Sequence, residues 1–203
     1  MRRWMVIIIA VLYAGMLSAQ TDKWAQFSFS GGYGHFSDTF EKSGTFYTAD
    51  MEVHFTRRVY GSFLVGMSSY EGSRPVWVEY PHESISDNLS DKRTEMMFAV
   101  GPGFDWLTNH IDRFYLTLYA GYAVVKRESS YYEGYVRQFV DDNRNGVMEL
   151  ARLGYEHQFG ESFVLGIFAQ GGYVGESFSW GAGVRIGFRL SDFNVKKPAG
   201  LFK

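Results

Sequence analysis

The 203-residue chain has no cysteine, only four prolines and no excess of basic residues. Without cysteine it can form no disulfide, thiolate metal site, cysteine nucleophile or lipid-modified cysteine. Its 20 Lys and Arg residues against 22 Asp and Glu exclude the basic surface that nucleic-acid binding requires. Aromatic residues reach 18% and there are 23 glycines. This combination with so little proline is typical of β-rich proteins.

A long apolar run occurs only at the N-terminus. Arg2 and Arg3 precede an uninterrupted apolar stretch from Trp4 to Leu17, and small Ala19 follows. This pattern predicts a secretory signal peptide over residues 1–19, cleaved before Gln20. As a helix the stretch would span about 21 Å, less than the roughly 30 Å of a bilayer core. The alternative is an uncleaved membrane anchor. The small residues that follow the apolar stretch favour cleavage.

The rest of the chain alternates apolar and polar residues with a period of two, which predicts β-strands. In the clearest stretch, 180–190, alternate positions are apolar and the intervening ones are Gly or Arg. Clear strands are predicted at 47–56, 95–106, 114–124 and 180–190, and weaker ones at 24–36, 60–70, 149–159 and 163–174. Eight antiparallel strands suit a closed up-and-down barrel, which needs an even number.

The polarity of the two faces indicates where the barrel lies. In each clear strand the apolar face is continuous, whereas the opposite face mixes charged residues with glycine. A small barrel interior accommodates charges interleaved with glycine, and only a lipid bilayer makes an apolar exterior favourable. The sequence therefore predicts an all-β, closed antiparallel eight-stranded transmembrane barrel over 20–190, with a short periplasmic tail over 191–203. A soluble lipocalin-like barrel, with its apolar face inward, is the alternative.

Charged residues in the polar phase are predicted to meet inside the barrel, because buried charges require partners. Strands one and eight are neighbours in a closed ring, so carboxylates of strand two can reach arginines of strand eight across the small residues of strand one. The predicted ion-pair network comprises Asp50, Glu52, Glu95, Arg152, Glu156, Arg185 and Arg189. A structural plug is favoured over a switchable ion gate, because eight strands leave no open pore.

Aromatic residues recur eight positions apart on the apolar face of four strands. Eight residues span about 26 Å along a strand, or roughly 20 Å along the membrane normal once tilt is included. Two aromatic girdles at the membrane interfaces are therefore predicted, from the pairs Tyr47 and Phe55, Phe98 and Trp106, Phe114 and Tyr122, and Trp180 and Phe188.

The predicted connections alternate in length, which orients the barrel. Those near 57–60, 107–112 and 159–162 are short, and those near 37–45, 71–93 and 127–147 are longer, with a brief one near 175–178. Short turns face the periplasm and long loops face outward. Alternation at Val76 and Val78 indicates that strand three continues above the membrane, where its edge can pair with another protein.

With its signal peptide, strand rhythm, aromatic rims and final strand WGAGVRIGFRL, the chain resembles the small outer-membrane barrels of OmpA/OmpX type. The resemblance implies an outer-membrane location, contact with outer-membrane lipid, insertion by the barrel-insertion machinery and a monomeric, non-enzymatic protein without cofactor or metal. Phe188 or Phe202 would be the aromatic that the machinery reads. The tail is too short for a periplasmic domain, so a peptidoglycan-binding module is not expected.

Three further features point to function. His35 and Ser37 form a His-x-Ser pair like that of lipid A-modifying barrel enzymes, but it lies in strand one, so a hydrolase is only an alternative. DDNRNG at 141–146 matches half of a calcium loop, yet Arg152 occupies the position of the bidentate Glu. The aromatics of the long loops, Trp77, Tyr80, Tyr131, Tyr132 and Tyr135, favour adhesion to an extracellular protein or surface.

Overall fold

The computed structural model describes residues 24–37, 41–79, 84–108, 111–133, 135–175 and 177–191. They form eight strands: β1 (Trp24–Ser37), β2 (Glu41–His54), β3 (Val59–Glu79), β4 (Ser84–Thr108), β5 (Asp112–Glu133), β6 (Val136–Phe159), β7 (Phe163–Val174) and β8 (Ser177–Ser191). No helix in these ranges is long and apolar enough to cross a bilayer. The predicted signal peptide and the tail from residue 192 lie outside the described residues.

Each strand pairs antiparallel with its neighbours in sequence, and β1 pairs with β8 to close the ring. This topology confirms the predicted up-and-down barrel. A path of directly paired residues that starts at Glu149 on β6 returns to the same strand at Phe159, ten residues further on. A stagger of ten residues over eight strands corresponds to a tilt of about 40° from the barrel axis.

The barrel is apolar outside and polar inside. Phe29, Ile167 and Val184 are more than half exposed, whereas Asp50, Glu52 and Arg185 on the opposite faces are buried. Because only lipid makes such an exterior favourable, this polarity confirms the transmembrane barrel and contradicts the lipocalin-like alternative.

The strand lengths differ from the prediction in one region. Strands β3 to β6 contain 21 to 25 residues, whereas β1, β2, β7 and β8 contain 12 to 15. The predicted loops 71–93 and 127–147 are therefore largely strand, and they form two hairpins that continue beyond the ring. The predicted connection 37–45 is also shorter, since β2 begins at Glu41, and the predicted strand 47–56 ends at His54.

Candidate functional site

Charged side chains fill the periplasmic half of the lumen, and Arg185 lies at their centre. Its Nη2 lies 2.7 Å from Glu52 Oε1 and its Nη1 lies 2.7 Å from Glu156 Oε1, and it also pairs with Asp50. Arg152 Nη1 lies 3.2 Å from Asp50 Oδ1, and its Nη2 donates to Gln170 at 2.9 Å. The side chains of the five charged residues of this group are at most 1% exposed. We call this group the inner cluster.

The inner cluster includes two charged residues that were absent from the predicted network. Arg113 Nη1 lies 2.7 Å from Glu52 Oε2 and 3.0 Å from Glu156 Oε2, and Arg113 Nε donates to Asp105 Oδ1 at 2.7 Å. Asp105 lies on the predicted polar face of its strand, so the pattern contained a signal for it. Arg113 comes just before the apolar alternation of 114–124 begins, so that run did not mark it as inward.

Two predicted members of the network lie elsewhere. Glu95 accepts from Arg93 Nε at 2.6 Å and from Ser68 Oγ at 2.7 Å, on the extracellular side of the lumen. Arg189 bonds to Gln158, and its guanidinium carbon lies 4.1 Å from the ring centroid of Trp24. The charges of the network are thus divided between two levels of the lumen.

Around Glu95 is an outer cluster, in which Lys42 Nζ lies 2.9 Å from Asp91 Oδ2 and Arg127 Nη2 lies 2.7 Å from the same oxygen. Between the outer and inner clusters lies a buried apolar layer of Leu64, Met97, Ala99, Tyr119, Ala123, Val125, Met148, Leu150 and Val174. An ion that crosses the lumen would have to leave the charged groups of one cluster and enter this apolar layer. Transfer of a charge into an apolar environment is unfavourable.

The register places the predicted girdle residues at two heights. With a tilt of about 40°, each residue rises about 2.5 Å along the axis, and each step to a neighbouring strand shifts the height by about 3 Å. By this measure an outer level contains Tyr47, Phe98, Tyr122 and Trp180, and an inner level about 20 Å below contains Phe114 and Phe188. Phe55 follows the last paired residue of β2, and Trp106 lies in the irregularity between Asp105 and Leu107, both next to the inner level. The contact of the girdle residues with the lipid interface stays a prediction.

The His-x-Ser pair lies on the outer surface of β1. The centroid of the His35 ring lies 5.8 Å from the centroid of the Trp180 ring. In the ladder of β1 and β2, His35 is paired with Ser43. Among the described residues no carboxylate forms the hydrogen bond with His35 that would orient a catalytic histidine.

The calcium-loop sequence is part of β6, not a turn. Asp142 Oδ2 accepts from Arg144 Nε at 2.6 Å. Within the described residues no three His, Asp or Glu side chains are grouped as a metal site would require.

The two projecting hairpins contact each other through polar side chains. The Tyr132 hydroxyl donates to Asp87 Oδ2 at 2.5 Å, and Arg137 Nη1 donates to the same oxygen at 3.2 Å. Arg137 Nη2 also donates to the Asn88 carbonyl and to Ser130 Oγ, both at 3.1 Å. Large apolar side chains remain exposed on these hairpins: Trp77, Ile85, Tyr131, Tyr135, Val136, Phe139 and Val140. Tyr80, predicted among them, lies outside the described residues.

Solved structures with similar folds are outer-membrane barrels. The attachment invasion locus protein Ail of Yersinia pestis, in complex with the heparin analogue sucrose octasulfate, matches 84% of this chain and 100% of its own, with a TM-score of 0.54 at 11% identity. A second structure of Ail matches with a TM-score of 0.51 at 13% identity over the same shares of the two chains. The outer-membrane protein OprG from Pseudomonas aeruginosa matches 83% of this chain and 97% of its own, with a TM-score of 0.53 at 9% identity.

No protein-family model and no curated protein sequence matches the chain. The closed ring of eight strands and its apolar exterior agree with these folds. The chain has the fold of the small eight-stranded transmembrane β-barrels.

Proposed function

We propose that the barrel is a non-enzymatic anchor, and that its two projecting hairpins bind a protein partner at the cell surface. The observation that carries this proposal is the exposure of large apolar side chains far above the membrane. Trp77 is 73% exposed and Phe139 is 74% exposed, at positions where lipid cannot cover them. Exposed aromatic residues on a rigid scaffold are typical contact residues of protein interfaces.

The hairpins are rigid enough to present such a surface. They continue the barrel strands without interruption, and the pairing of β4 with β5 extends to Asp91 and Ser129. Above that pair, Asp87 holds the two hairpins together through Tyr132 and Arg137. A surface ordered before binding loses less conformational entropy when it binds.

The name of Ail, an attachment and invasion protein, agrees with an adhesive role for this fold. The sulfated ligand of Ail makes a polyanion the alternative partner of the hairpins. The arginines near the barrel mouth do not favour that alternative, because Arg93, Arg127 and Arg144 each pair with a carboxylate. The apolar side chains favour a protein.

The test compares adhesion of cells that display the wild-type chain with cells that display a variant in which Trp77, Tyr131, Tyr135 and Phe139 are serine. Wells are coated with basement-membrane protein extract, with heparin or with albumin alone. We expect the wild type to adhere to the protein extract and the variant to lose at least tenfold, while heat-modifiable gel migration confirms that the variant barrel is folded. Equal adhesion of both chains, or adhesion to heparin alone, would contradict the proposal.

A further inference from the structure

Each projecting hairpin has an outward edge, on β3 or on β6, with no described strand beside it. The pairing of β2 with β3 ends at Ser43 and Glu71, and the pairing of β6 with β7 ends at Met148 and Val174. Among the described strands, residues 72–79 of β3 therefore pair only with β4, and residues 136–145 of β6 pair only with β5. An unpaired edge offers backbone donors and acceptors to another strand.

Only one of these edges is open to strand addition. The β3 edge contains Pro75, which has no N–H group, and proline is typical of protected edges. The segment 136–145 has no proline and carries Phe139, which is 74% exposed, next to exposed Val140. We call this segment the β6 edge.

The side chains on one face of the β6 edge are complementary to themselves. Arg137, Phe139 and Asp141 alternate along the strand and so share a face. If two copies pair antiparallel about a two-fold axis at Phe139, the two Phe139 side chains lie opposite each other. Each Arg137 then lies opposite Asp141 of the second copy, on both sides of the aromatic pair. Opposite charges in directly paired positions stabilise a sheet.

Arg137 is held beside Phe139 on this face. Its guanidinium carbon lies 5.2 Å from the Phe139 ring centroid, and Asp87 and Asn88 hold its terminal nitrogens. In the next register that keeps residues of one face opposite residues of the same face, the two-fold axis passes through Val140. It would place Phe139 opposite Asp141 and Arg137 opposite Asn143, with no ion pair. The register centred on Phe139 is therefore favoured.

We propose that the β6 edge pairs with the β6 edge of a second copy in a facing membrane. This inference goes beyond the proposed function and adds a second copy of the chain as a further partner of the hairpins. A two-fold axis perpendicular to the sheet reverses the membrane normal, so the two barrels point in opposite directions. Two copies in one membrane would be related by an axis along the normal, and strands tilted by about 40° would then cross at about 80°. Such strands cannot form a ladder.

The hairpin length sets the spacing of the two membranes. Phe139 lies ten residues beyond Glu149, which is at the outer aromatic level, so it projects about 25 Å above that level. The two outer levels would be about 50 Å apart. One strand pair buries little area and is weak alone, but many pairs between two membranes act together.

The first experiment mixes two populations of lipid vesicles that contain the purified protein and carry different fluorophores. We expect mixed clusters with the wild type, and at least a tenfold slower clustering with Phe139→Asp. Trp77→Asp is the matched control, because Trp77 is equally exposed on the blocked β3 edge, and it should cluster like the wild type. Loss of clustering in both variants, or in neither, would overturn the inference.

The second experiment uses the absence of native cysteine. Directly opposed residues of an antiparallel ladder have Cα atoms about 4.5–5.5 Å apart, within disulfide range. Phe139→Cys should therefore form a dimer in clustered vesicles under mild oxidation. Asn143→Cys lies on the same face, but the two copies would be about 26 Å apart, so it should stay monomeric. Equal cross-linking of both variants would overturn the register.

The two proposals can fail separately. If wild-type vesicles do not cluster while cells still adhere to the protein extract through the exposed aromatics, the facing-copy inference is wrong and the adhesive function stands. If the aromatic variant adheres like the wild type, the adhesive function itself is wrong.

Discussion

Arg185 on β8 and Glu52 on β2 lie two strands apart in the ring, yet Arg185 Nη2 lies 2.7 Å from Glu52 Oε1. Strand β1 permits this contact, because the residue paired with Arg185 is Ser30, whose short side chain leaves the space above it open. The same guanidinium also pairs with Asp50 and Glu156. One arginine therefore pairs with carboxylates from two separate parts of the sheet.

Replacing Arg185 by Met should destabilise the barrel by about 3–5 kcal/mol, because buried carboxylates lose their partner. Urea unfolding in lipid vesicles measures the change. Arg144→Met is the control, since the Arg144–Asp142 pair is exposed and should contribute less than about 1 kcal/mol. The double variant Arg185→Met and Asp50→Asn should lose less than the two single losses combined, because one unpaired charge is removed. Strict additivity would contradict the described pairing.

The positions of the eight strands could be predicted because lipid and lumen impose a period of two on every strand. The signal is strong over 180–190, where Val184 and Ile186 meet lipid and Arg185 is buried between them. It fades in 71–93 and 127–147, because most side chains there are exposed on both faces of the hairpins. In these two ranges, only the alternation at Val76 and Val78 indicates a strand in the sequence.

The ionic partners could be predicted less well than the faces. Alternation indicates that Glu95 and Arg189 point inward, but their height in the lumen depends on the ten-residue stagger of the barrel. That stagger separates Glu95 from Asp50 and brings Arg189 to Gln158. The period of a strand contains no information on stagger, so the division into inner and outer clusters required the structure.

Gly103 on β4 should not tolerate alanine, because Tyr60 lies over it. A Cβ atom at Gly103 would lie 1.9 Å from the Tyr60 ring. The ring cannot easily move, since the Tyr60 hydroxyl lies 2.6 Å from Thr117 Oγ1. We expect Gly103→Ala to cost about 1–3 kcal/mol from overpacking.

The control for Gly103→Ala is Gly61→Ala on the paired strand. A Cβ atom at Gly61 would lie 3.4 Å from the Phe55 ring, an ordinary contact. Gly61→Ala should therefore change the urea midpoint little. If Gly103→Ala unfolds at the wild-type midpoint, Tyr60 does not occupy the described position.

Val184 should be sensitive to charge because it lies midway between the two aromatic levels on the outer face of β8. It is 55% exposed, and only lipid can cover it. Arginine near the bilayer midplane costs about 2–4 kcal/mol in barrels of this kind. Val184→Arg should lower the unfolding free energy in vesicles by that amount, whereas Val147→Arg, above the outer level, should have a smaller effect. Equal effects at both sites would contradict the assigned membrane height.

The contact between the hairpins should weaken in acid. The hydroxyl of Tyr132, the backbone N–H of Asn88 and the charge of Arg137 lower the pKa of Asp87 below its ordinary value of 3.8. Because the pKa is lowered in the folded protein, the stabilisation is fully present above that ordinary value. It is lost as the pH falls through the lowered pKa, when the carboxylate that accepts from Tyr132 becomes protonated.

Spin labels on cysteines introduced at Ser86 and Gln138 can measure this change, since the chain has no other cysteine. We expect a narrow distance distribution at pH 7 that broadens as the pH falls below 3.8, while heat-modifiable migration shows an intact barrel. Tyr132→Phe removes the main hydrogen bond to Asp87, so its distribution should already be broader at pH 7 and change less with pH. A Tyr132→Phe distribution as narrow as that of the wild type at pH 7 would show that this hydrogen bond to Asp87 does not hold the hairpins together.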